Sequence, residues 1–173
     1  MTIAPTLYTE RLILRAPVAE DFEPLAEFFA DEERSAGFGG PLSRHRAWRW
    51  FAGSIGHWHL RGFGFWTVIQ KDDSWPCGIV GLWEPEGWEE PELGWLMFKN
   101  AEGKGIAFEA AERARRYAYD EMGFKTLVSN ILPGNTRSIN LAEKLGATFE
   151  RTFENLDMEP DQIYRHPAPE ALQ

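Results

Sequence analysis

The sequence of 173 residues is 43% hydrophobic, which argues against a disordered chain and is enough for one domain with a buried core. Its formal net charge of −9 argues against nucleic acid or an anionic membrane surface as a partner. No stretch approaches the ~18 apolar residues of a membrane span, and the single Cys77 cannot form an internal disulfide. We therefore predict one domain over residues 1–173 in a soluble, cytoplasmic protein.

The N-terminal half combines strand and helix patterns. Residues 9–15 alternate in the manner of a strand, and apolar residues at helical spacing follow over residues 19–30. Ser43 is placed to cap a second helix. Aromatic and β-branched residues then predict two hairpin strands over residues 64–69 and 77–83, with turn residues between them.

The C-terminal half continues this alternation. An apolar strand over residues 93–98 precedes a helix whose alanines, from Ala107 to Ala118, recur every three or four residues. The remaining predicted elements are a strand over residues 126–130, a helix capped by Asn135, and strands over residues 147–153 and 163–165. No repeat or linker interrupts this order, so we predict an α/β fold.

A glycine turn joins the apolar strand to its helix. Gly103 and Gly105, on either side of Lys104, allow a tight turn and leave the first amides of the helix accessible, which suits a phosphate. A P-loop would require Ser or Thr directly after the lysine, where this chain has Gly105. A dinucleotide fingerprint would require a small residue at Phe108. An ordinary strand-to-helix turn stays the alternative to a phosphate site.

Two motifs in this half resemble those of one family. The pattern Glu102-x-x-Gly105-x-Ala107 resembles the Gln/Arg-x-x-Gly-x-Gly/Ala pyrophosphate loop of the GNAT superfamily of acetyl-CoA-dependent N-acetyltransferases. The segment from Asn135 to Ala147 resembles the Asn-x-x-Ser-x-x-x-x-x-Lys-x-Gly segment of the same family. This resemblance implies a mixed, mostly antiparallel sheet of about six to seven strands, flanked by about four helices and split in the middle by acetyl-CoA.

Three shorter motifs are similar to the branch of ribosomal-protein-alanine N-acetyltransferases. They are the opening Thr-Glu-Arg-Leu-x-Leu-Arg, the Glu-x-Gly-Trp strand and the late Tyr-Arg-His-Pro segment. The resemblance implies direct acetyl transfer to a primary amine, either a small-molecule amine or a protein N-terminus. The alternative is a non-catalytic acyl-CoA-binding or regulatory module, because Glu102 replaces the family's Gln or Arg and Ala142 replaces a tyrosine acid. A homodimer stays an open option.

The resemblance also implies which residues bind the coenzyme. The backbone of Met97 and Phe98 would pair with the pantetheine arm, where the fourth and fifth strands of the fold diverge. The pyrophosphate would lie on the amides of Gly103, Lys104, Gly105, Ile106 and Ala107. Asn135 and Ser138 would lie beside the pantetheine and the thioester. Because an anionic Glu102 would repel phosphate, we expect its side chain to face solvent.

Acetyl transfer requires a neutral amine, an oxyanion donor and an acid for the departing thiolate. The Met97 amide is the natural oxyanion donor. Ser138, one turn into its helix, is our substitute for the absent tyrosine acid. Glu92, at the start of the central strand, is the first candidate for the base that takes the amine's proton. Asp157 and Glu84 are lower-ranked candidates on loops.

The histidines and tryptophans complete the predicted site. None of the histidines has ligand-like spacing with another or with Cys77, so we predict no metal. We expect Trp48, Trp58 and Trp66 to pack in the core. Trp50 and Trp88 are candidates for the acceptor cleft. Trp88 could bind a cationic acceptor together with the acidic residues Glu86, Glu89 and Glu90.

Overall fold

One sheet of eight strands organises the structure, a computed structural model that describes residues 4–154 and 159–172. The strands are β1 (Leu7–Tyr8), β2 (Leu12–Arg15), β3 (Phe65–Gln70), β4 (Asp73–Trp83), β5 (Glu92–Met97), β6 (Val128–Ile131), β7 (Thr148–Phe153) and β8 (Asp161–Arg165). Their order is β1-β2-β3-β4-β5-β6-β8-β7, and all neighbours are antiparallel except β5 and β6. The helices are α1 (Phe22–Ala30), α2 (Glu32–Ser35), α3 (Arg44–Arg61), α4 (Ile106–Asp120) and α5 (Thr136–Lys144).

The mixed sheet with flanking helices confirms the predicted α/β class. The sheet has more strands than predicted because β1, at two residues, is too short to give an alternating pattern. The extra helix α2 is a single turn, for which periodicity gives no signal either. The predicted cap of α3 is confirmed, since Ser43 Oγ accepts a hydrogen bond of 3.4 Å from the Arg46 amide.

The helices cover both faces of the sheet. One face packs against α1 and α3, with Leu96 and Phe98 contributing from the central strand region. The other face packs against α4 and α5, and here Leu93 and Trp95 contribute. The α4 residues Ala110, Ala111, Ala114 and Ala118 are all fully buried, so their small side chains bring this helix close to the sheet.

Two of the three predicted core tryptophans are confirmed. Trp58 and Trp66 are buried, and Trp58 Nε1 donates to the Phe65 carbonyl at 2.9 Å. The prediction for Trp48 is wrong, because 48% of this residue is exposed. Its ring meets only the edge of the core, in a T-shaped contact with Phe22 at 4.9 Å between ring centroids. Helical spacing identified the face of α3 but not how far the core extends along it.

The sheet splits between β5 and β6. These parallel strands share a single registered pair, Glu92 with Val128, and diverge beyond it. At the closed end, the Ser129 hydroxyl donates to the Leu93 carbonyl at 2.6 Å. This side-chain bond occupies a backbone acceptor that a regular ladder would pair with an amide. Toward Met97, the edge of β5 is therefore left open.

A buried polar network holds the closed end of the split together. Arg115 Nη1 donates to the Leu145 carbonyl at 2.7 Å and to Nδ1 of His166 at 3.2 Å. Because Nδ1 accepts from a guanidinium, the neutral ring carries its proton on Nε2, which lies 2.9 Å from Ser129 Oγ. The network thus links α4 to β6 and, through the Ser129 hydroxyl, to β5.

We expect His166 to make folding stability sensitive to mild acid. Burial, with the charges of Arg115 and Arg165, lowers the pKa of His166 to about 3, against an ordinary value of 6.5. As the pH falls from 6.5 toward 3, the unfolded chain therefore binds a proton that the folded chain does not. Stability should drop by about 1.4 kcal/mol per pH unit from this group.

Denaturant unfolding between pH 7.5 and 4.5 measures this effect before most carboxylates titrate. The variant His166→Gln should be less stable at pH 7.5. Its free energy of unfolding should fall less steeply on acidification, by about 1.4 kcal/mol per pH unit. An unchanged slope in this variant would contradict the buried, neutral state of the imidazole. Replacing an exposed histidine, His59, serves as the control.

Candidate active site

The open part of the split is a large cavity of about 1400 Å³. It lies between the free edge of β5 and the N-termini of α4 and α5, which both contribute lining residues. Its lining contains four cationic residues, Arg34, Lys99, Arg137 and Lys144, and four acidic ones, Asp31, Glu33, Glu102 and Glu159. A cavity of this size with several cations and two helix N-termini suits a long ligand that carries phosphates.

The glycine turn forms one wall of this cavity. Gly103 and Gly105 both have a φ of 73°, a left-handed conformation that side chains disfavour. Gly105 is the N-cap of α4, so the amides of its first turn have no partners within the helix. Gly103, Gly105, Ile106 and Ala107 line the cavity, whereas Lys104 is exposed and lies outside its lining.

The opening motif of the sequence anchors this turn. Glu109, in the first turn of α4, accepts hydrogen bonds from Arg11 Nε at 2.6 Å and from Thr9 Oγ1 at 2.5 Å. Arg11 Nη1 also donates to the Lys104 carbonyl at 3.0 Å. The Thr-Glu-Arg-Leu segment, in the turn between β1 and β2, therefore fixes the N-terminus of α4. Spacing gave no signal for this contact, because about 100 residues separate its partners.

Contrary to our expectation, the Glu102 side chain does not simply face solvent. Its side chain is 31% exposed and lies between two arginines of the cavity. Glu102 Oε1 accepts from Arg34 Nη1 at 2.6 Å and from Arg137 Nη1 at 3.1 Å. Two cations therefore offset its charge, so its repulsion of a phosphate is smaller than the sequence suggested. Sequence reasoning missed both arginines, because neither belongs to the glycine motif.

The backbone of β5 offers Met97, but not Phe98, to the cavity. The Phe98 amide donates to the Cys77 carbonyl at 2.8 Å, and the Phe98 carbonyl accepts from the Ala101 amide at 3.0 Å. Both groups already have a partner, so Phe98 is less available to a ligand than Met97, and its pairing with the pantetheine arm stays a prediction. Because antiparallel ladders alternate, the Met97 amide, one residue earlier, points away from β4 toward the split. Met97 also lines the cavity.

The N-terminus of α5 closes the cavity on the opposite side. Asn135 caps this helix by accepting from the Ser138 amide at 3.3 Å, and its Nδ2 donates to the Gly37 carbonyl at 3.3 Å. A Cβ on Gly37 would lie 2.3 Å from Nδ2, so only glycine permits this approach. Ser138 is buried, and its Oγ accepts from Trp95 Nε1 at 3.2 Å. The Ser138 hydroxyl proton therefore points away from the indole.

A second, smaller pocket of about 160 Å³ meets the first one at Trp95 and Ser138, which line both. Trp50, Trp88 and Glu92 line this pocket, so it includes both predicted cleft tryptophans and the predicted base. Trp88 Nε1 donates to Glu92 Oε2 at 2.6 Å. The acidic neighbours of Trp88 are engaged elsewhere, because Glu89 pairs with Arg151 and Glu90 with Arg165. Glu89 and Glu90 are therefore less available to bind a cationic acceptor than the sequence indicated.

Glu92 is in an environment that favours its protonated form. Burial, together with the charge of Asp161, raises the pKa of Glu92 to about 8 despite the hydrogen bond from Trp88. The side chain is nevertheless reachable from the pocket, which it lines. A carboxyl group that titrates near neutral pH is suited to accept a proton from a substrate.

The remaining candidates contribute less to this geometry. Asp157 lies outside the described residues. The backbone amide of Glu84 donates to His57 Nε2 at 3.0 Å, and His57 Nδ1 donates to the Phe63 carbonyl at 2.6 Å. This buried histidine thus has a packing role. Within residues 4–154 and 159–172 there is no cluster of three metal-ligating side chains, and no helix is both long and apolar enough to cross a bilayer.

Comparisons with known proteins point to one family. The family model described as "Acetyltransferase (GNAT) domain" matches residues 11–148. An acetyltransferase crystal structure from Agrobacterium tumefaciens str. C58 is 35% identical, covers 95% of both chains and superposes with a TM-score of 0.87. "Uncharacterized N-acetyltransferase p20" of Bacillus licheniformis is 28% identical over 81% of this chain and 80% of its own. The [ribosomal protein uS5]-alanine N-acetyltransferase of Escherichia coli is 25% identical over 81% of this chain and 76% of its own.

Proposed function

The chain belongs to the GNAT family of acetyltransferases, and from this premise we propose that it transfers the acetyl group of acetyl-CoA to a primary amine. The acceptor is a small-molecule amine or a protein N-terminus; the Escherichia coli relative is named for an alanine of ribosomal protein uS5. The observation that carries the proposal is the meeting of two cavities at Trp95 and Ser138. One suits a phosphorylated coenzyme, and the other presents a carboxyl group to an acceptor.

The large cavity fits acetyl-CoA by its size and by the cations and helix N-termini of its lining. The amides at the start of α4 would hold the pyrophosphate, supported by Arg34 and Arg137. The free backbone edge at Met97 would pair with the pantetheine arm, beside Asn135 and Ser138. When bound, acetyl-CoA supplies an acetyl thioester with a carbonyl carbon open to attack.

Three groups of the chain would then serve the reaction. Glu92, as a carboxylate, accepts the proton that the amine loses as its nitrogen bonds to the carbonyl carbon. The Met97 amide donates to the carbonyl oxygen while that oxygen is negatively charged. The Ser138 hydroxyl donates its proton toward the sulfur as the carbon–sulfur bond breaks. Amide and thiol are the products, with no covalent enzyme intermediate.

The rival function is a non-catalytic acyl-CoA-binding or regulatory module. The family's tyrosine acid is absent, and Ala142 at that position is fully buried. Glu102 supports the rival less than the sequence suggested, because Arg34 and Arg137 pair with it. Glu92 and the small pocket have no evident use in a module that only binds a coenzyme, so they favour the enzyme.

Calorimetric titration with acetyl-CoA, followed by thiol release in the presence of a panel of primary amines, tests the proposal. We expect micromolar binding and amine-dependent thiol release. Binding without release for any amine would favour the rival, and absence of binding by the folded protein would overturn both functions. In the same assay, Ser138→Ala should lower kcat about tenfold and should change the Kd for acetyl-CoA by a smaller factor, if Ser138 is the acid.

A further inference from the structure

The small pocket beside Glu92 has acidic but no basic side chains in its described lining. Glu92 and Asp161 are its two acidic lining residues, and no Lys, Arg or His is found among the described residues that line it. Its volume of about 160 Å³ is close to that of a cavity that holds one benzene ring, about 150 Å³. The pocket therefore suits a compact ligand with a basic nitrogen that can donate a hydrogen bond or a proton to Glu92.

An aromatic wall, formed by Trp50, Phe65 and Trp83, bounds this pocket. Its ring centroids are 5.2 to 6.0 Å apart, and the rings are tilted by only 30 to 32° from one another. The three rings thus stack mainly on one another, and Trp83 also stacks on His57 at 4.5 Å between ring centroids. Their apolar ring atoms line this side of the pocket and pack well against flat or branched apolar groups.

Asn130 adds an unused hydrogen-bond acceptor. This residue lines the small pocket, and its Oδ1 is buried with no hydrogen-bond partner among the described residues. A buried acceptor without a donor is destabilising, and a bound ammonium or amine group supplies such a donor. Asn130 lies on β6, the strand that pairs with β5 at Glu92. Asn130 also lines a very small cavity beside Arg151 and Phe153, so an amine ligand near Glu92 occupies one of two places from which a donor could reach this oxygen.

We infer that the acceptor is a small primary amine on a compact apolar group, such as an arylalkylamine, with its nitrogen at Glu92 and its apolar group on the aromatic wall. This inference rests on the proposed function and goes beyond it by naming the substrate class. A protein N-terminus that begins with alanine fits less well, because one methyl group would leave most of the aromatic wall uncovered.

Competing substrates test the inference. With saturating acetyl-CoA, kcat/KM for 2-phenylethylamine should exceed that for a tetrapeptide beginning with alanine by about tenfold or more. The neutral analogue 2-phenylethanol should inhibit at least about tenfold more weakly than 2-phenylethylamine binds. A preference for the peptide, or equal affinity for the alcohol, would overturn the inference but leave acetyl transfer intact. If the protein binds acetyl-CoA but acetylates none of the amines, the result would instead contradict the proposed function itself.

Two tryptophans of α3 provide a matched pair of variants. Trp50 belongs to the aromatic wall, whereas Trp48 is half exposed and lies outside the pocket lining. Trp50→Leu should raise KM for 2-phenylethylamine about tenfold and should improve turnover of the larger 2-(1-naphthyl)ethylamine. Trp48→Leu should do neither, and both variants should keep the KM for acetyl-CoA. Equal effects of the two substitutions would contradict the assigned role of the wall.

Discussion

Replacing Glu92 with glutamine should lower kcat about 100-fold or more, because an amide cannot accept the proton that the attacking amine must lose. The substitution preserves the side-chain shape and an oxygen that can accept from Trp88 Nε1. Glu92 lines the small pocket and not the large one, so the Kd for acetyl-CoA should be unchanged. Steady-state kinetics and calorimetry measure the two effects separately.

The pH profile gives this prediction a second readout. Because burial raises the pKa of Glu92 to about 8, the carboxylate form becomes dominant only above that pH. In the wild type, kcat/KM should therefore rise through a step near pH 8, distinct from the step near pH 10 of an alkylamine substrate. Glu92→Gln should lack the step near pH 8. A variant that keeps both kcat and this step would exclude Glu92 as the base.

Stability serves as the control for the same variant. The pKa of Glu92 is about 4.5 in the unfolded chain and is raised on folding. This carboxyl group therefore contributes most to folding stability below about pH 4.5. That contribution is lost as the pH rises through about 8. Glu92→Gln has no such loss, so at pH 8 it should be at least as stable as the wild type. Lost activity in a fully folded variant is then a chemical effect.

Replacing Ala107 with glutamate should weaken acetyl-CoA binding about 100-fold. Ala107 is the second residue of α4 and lines the large cavity. A carboxylate there would face the coenzyme phosphates, and unit charges some 4 to 6 Å apart near a protein surface repel by about 3 to 4 kcal/mol. The same charge favours the N-terminus of the helix, so the melting temperature should not fall.

Ala107→Gln is the matched control, because glutamine has the size of glutamate without its charge. It should weaken binding by no more than about tenfold, and the difference between the two variants should shrink as salt is added. Calorimetric titration of both variants at low and high ionic strength measures this difference. Equal Kd values for the two variants would mean that the phosphates do not bind at the start of α4.

Local features of the fold could be predicted from the sequence alone. The strand, glycine turn and helix around Gly105 depend on backbone preferences and on side chains a few residues apart. The caps formed by Ser43 and Asn135 likewise involve amides three residues away. Such features need no knowledge of the rest of the chain. The short β1 and α2 were missed, because two to four residues are too few for a period.

The family also followed from the sequence, because its motifs lie within continuous segments. The glycine loop and the segment from Asn135 to Ala147 each keep their residue types at fixed spacing, and the family match over residues 11–148 confirms the assignment. The partners of the Phe98 backbone, in contrast, did not follow from the sequence. Which backbone groups a strand leaves free depends on the neighbouring strand, here through the bond from the Phe98 amide to Cys77.

Only the tertiary structure decided the electrostatics of the site. Glu102 meets Arg34 and Arg137, which are 68 and 35 residues away in the chain, and these contacts reverse the expectation of a solvent-facing carboxylate. Glu92 gains its raised pKa from burial and from Asp161, on a strand near the end of the chain. The sequence by itself determined which groups are present and which local turns hold them. Their charges and accessibility depend on neighbours that only folding brings together.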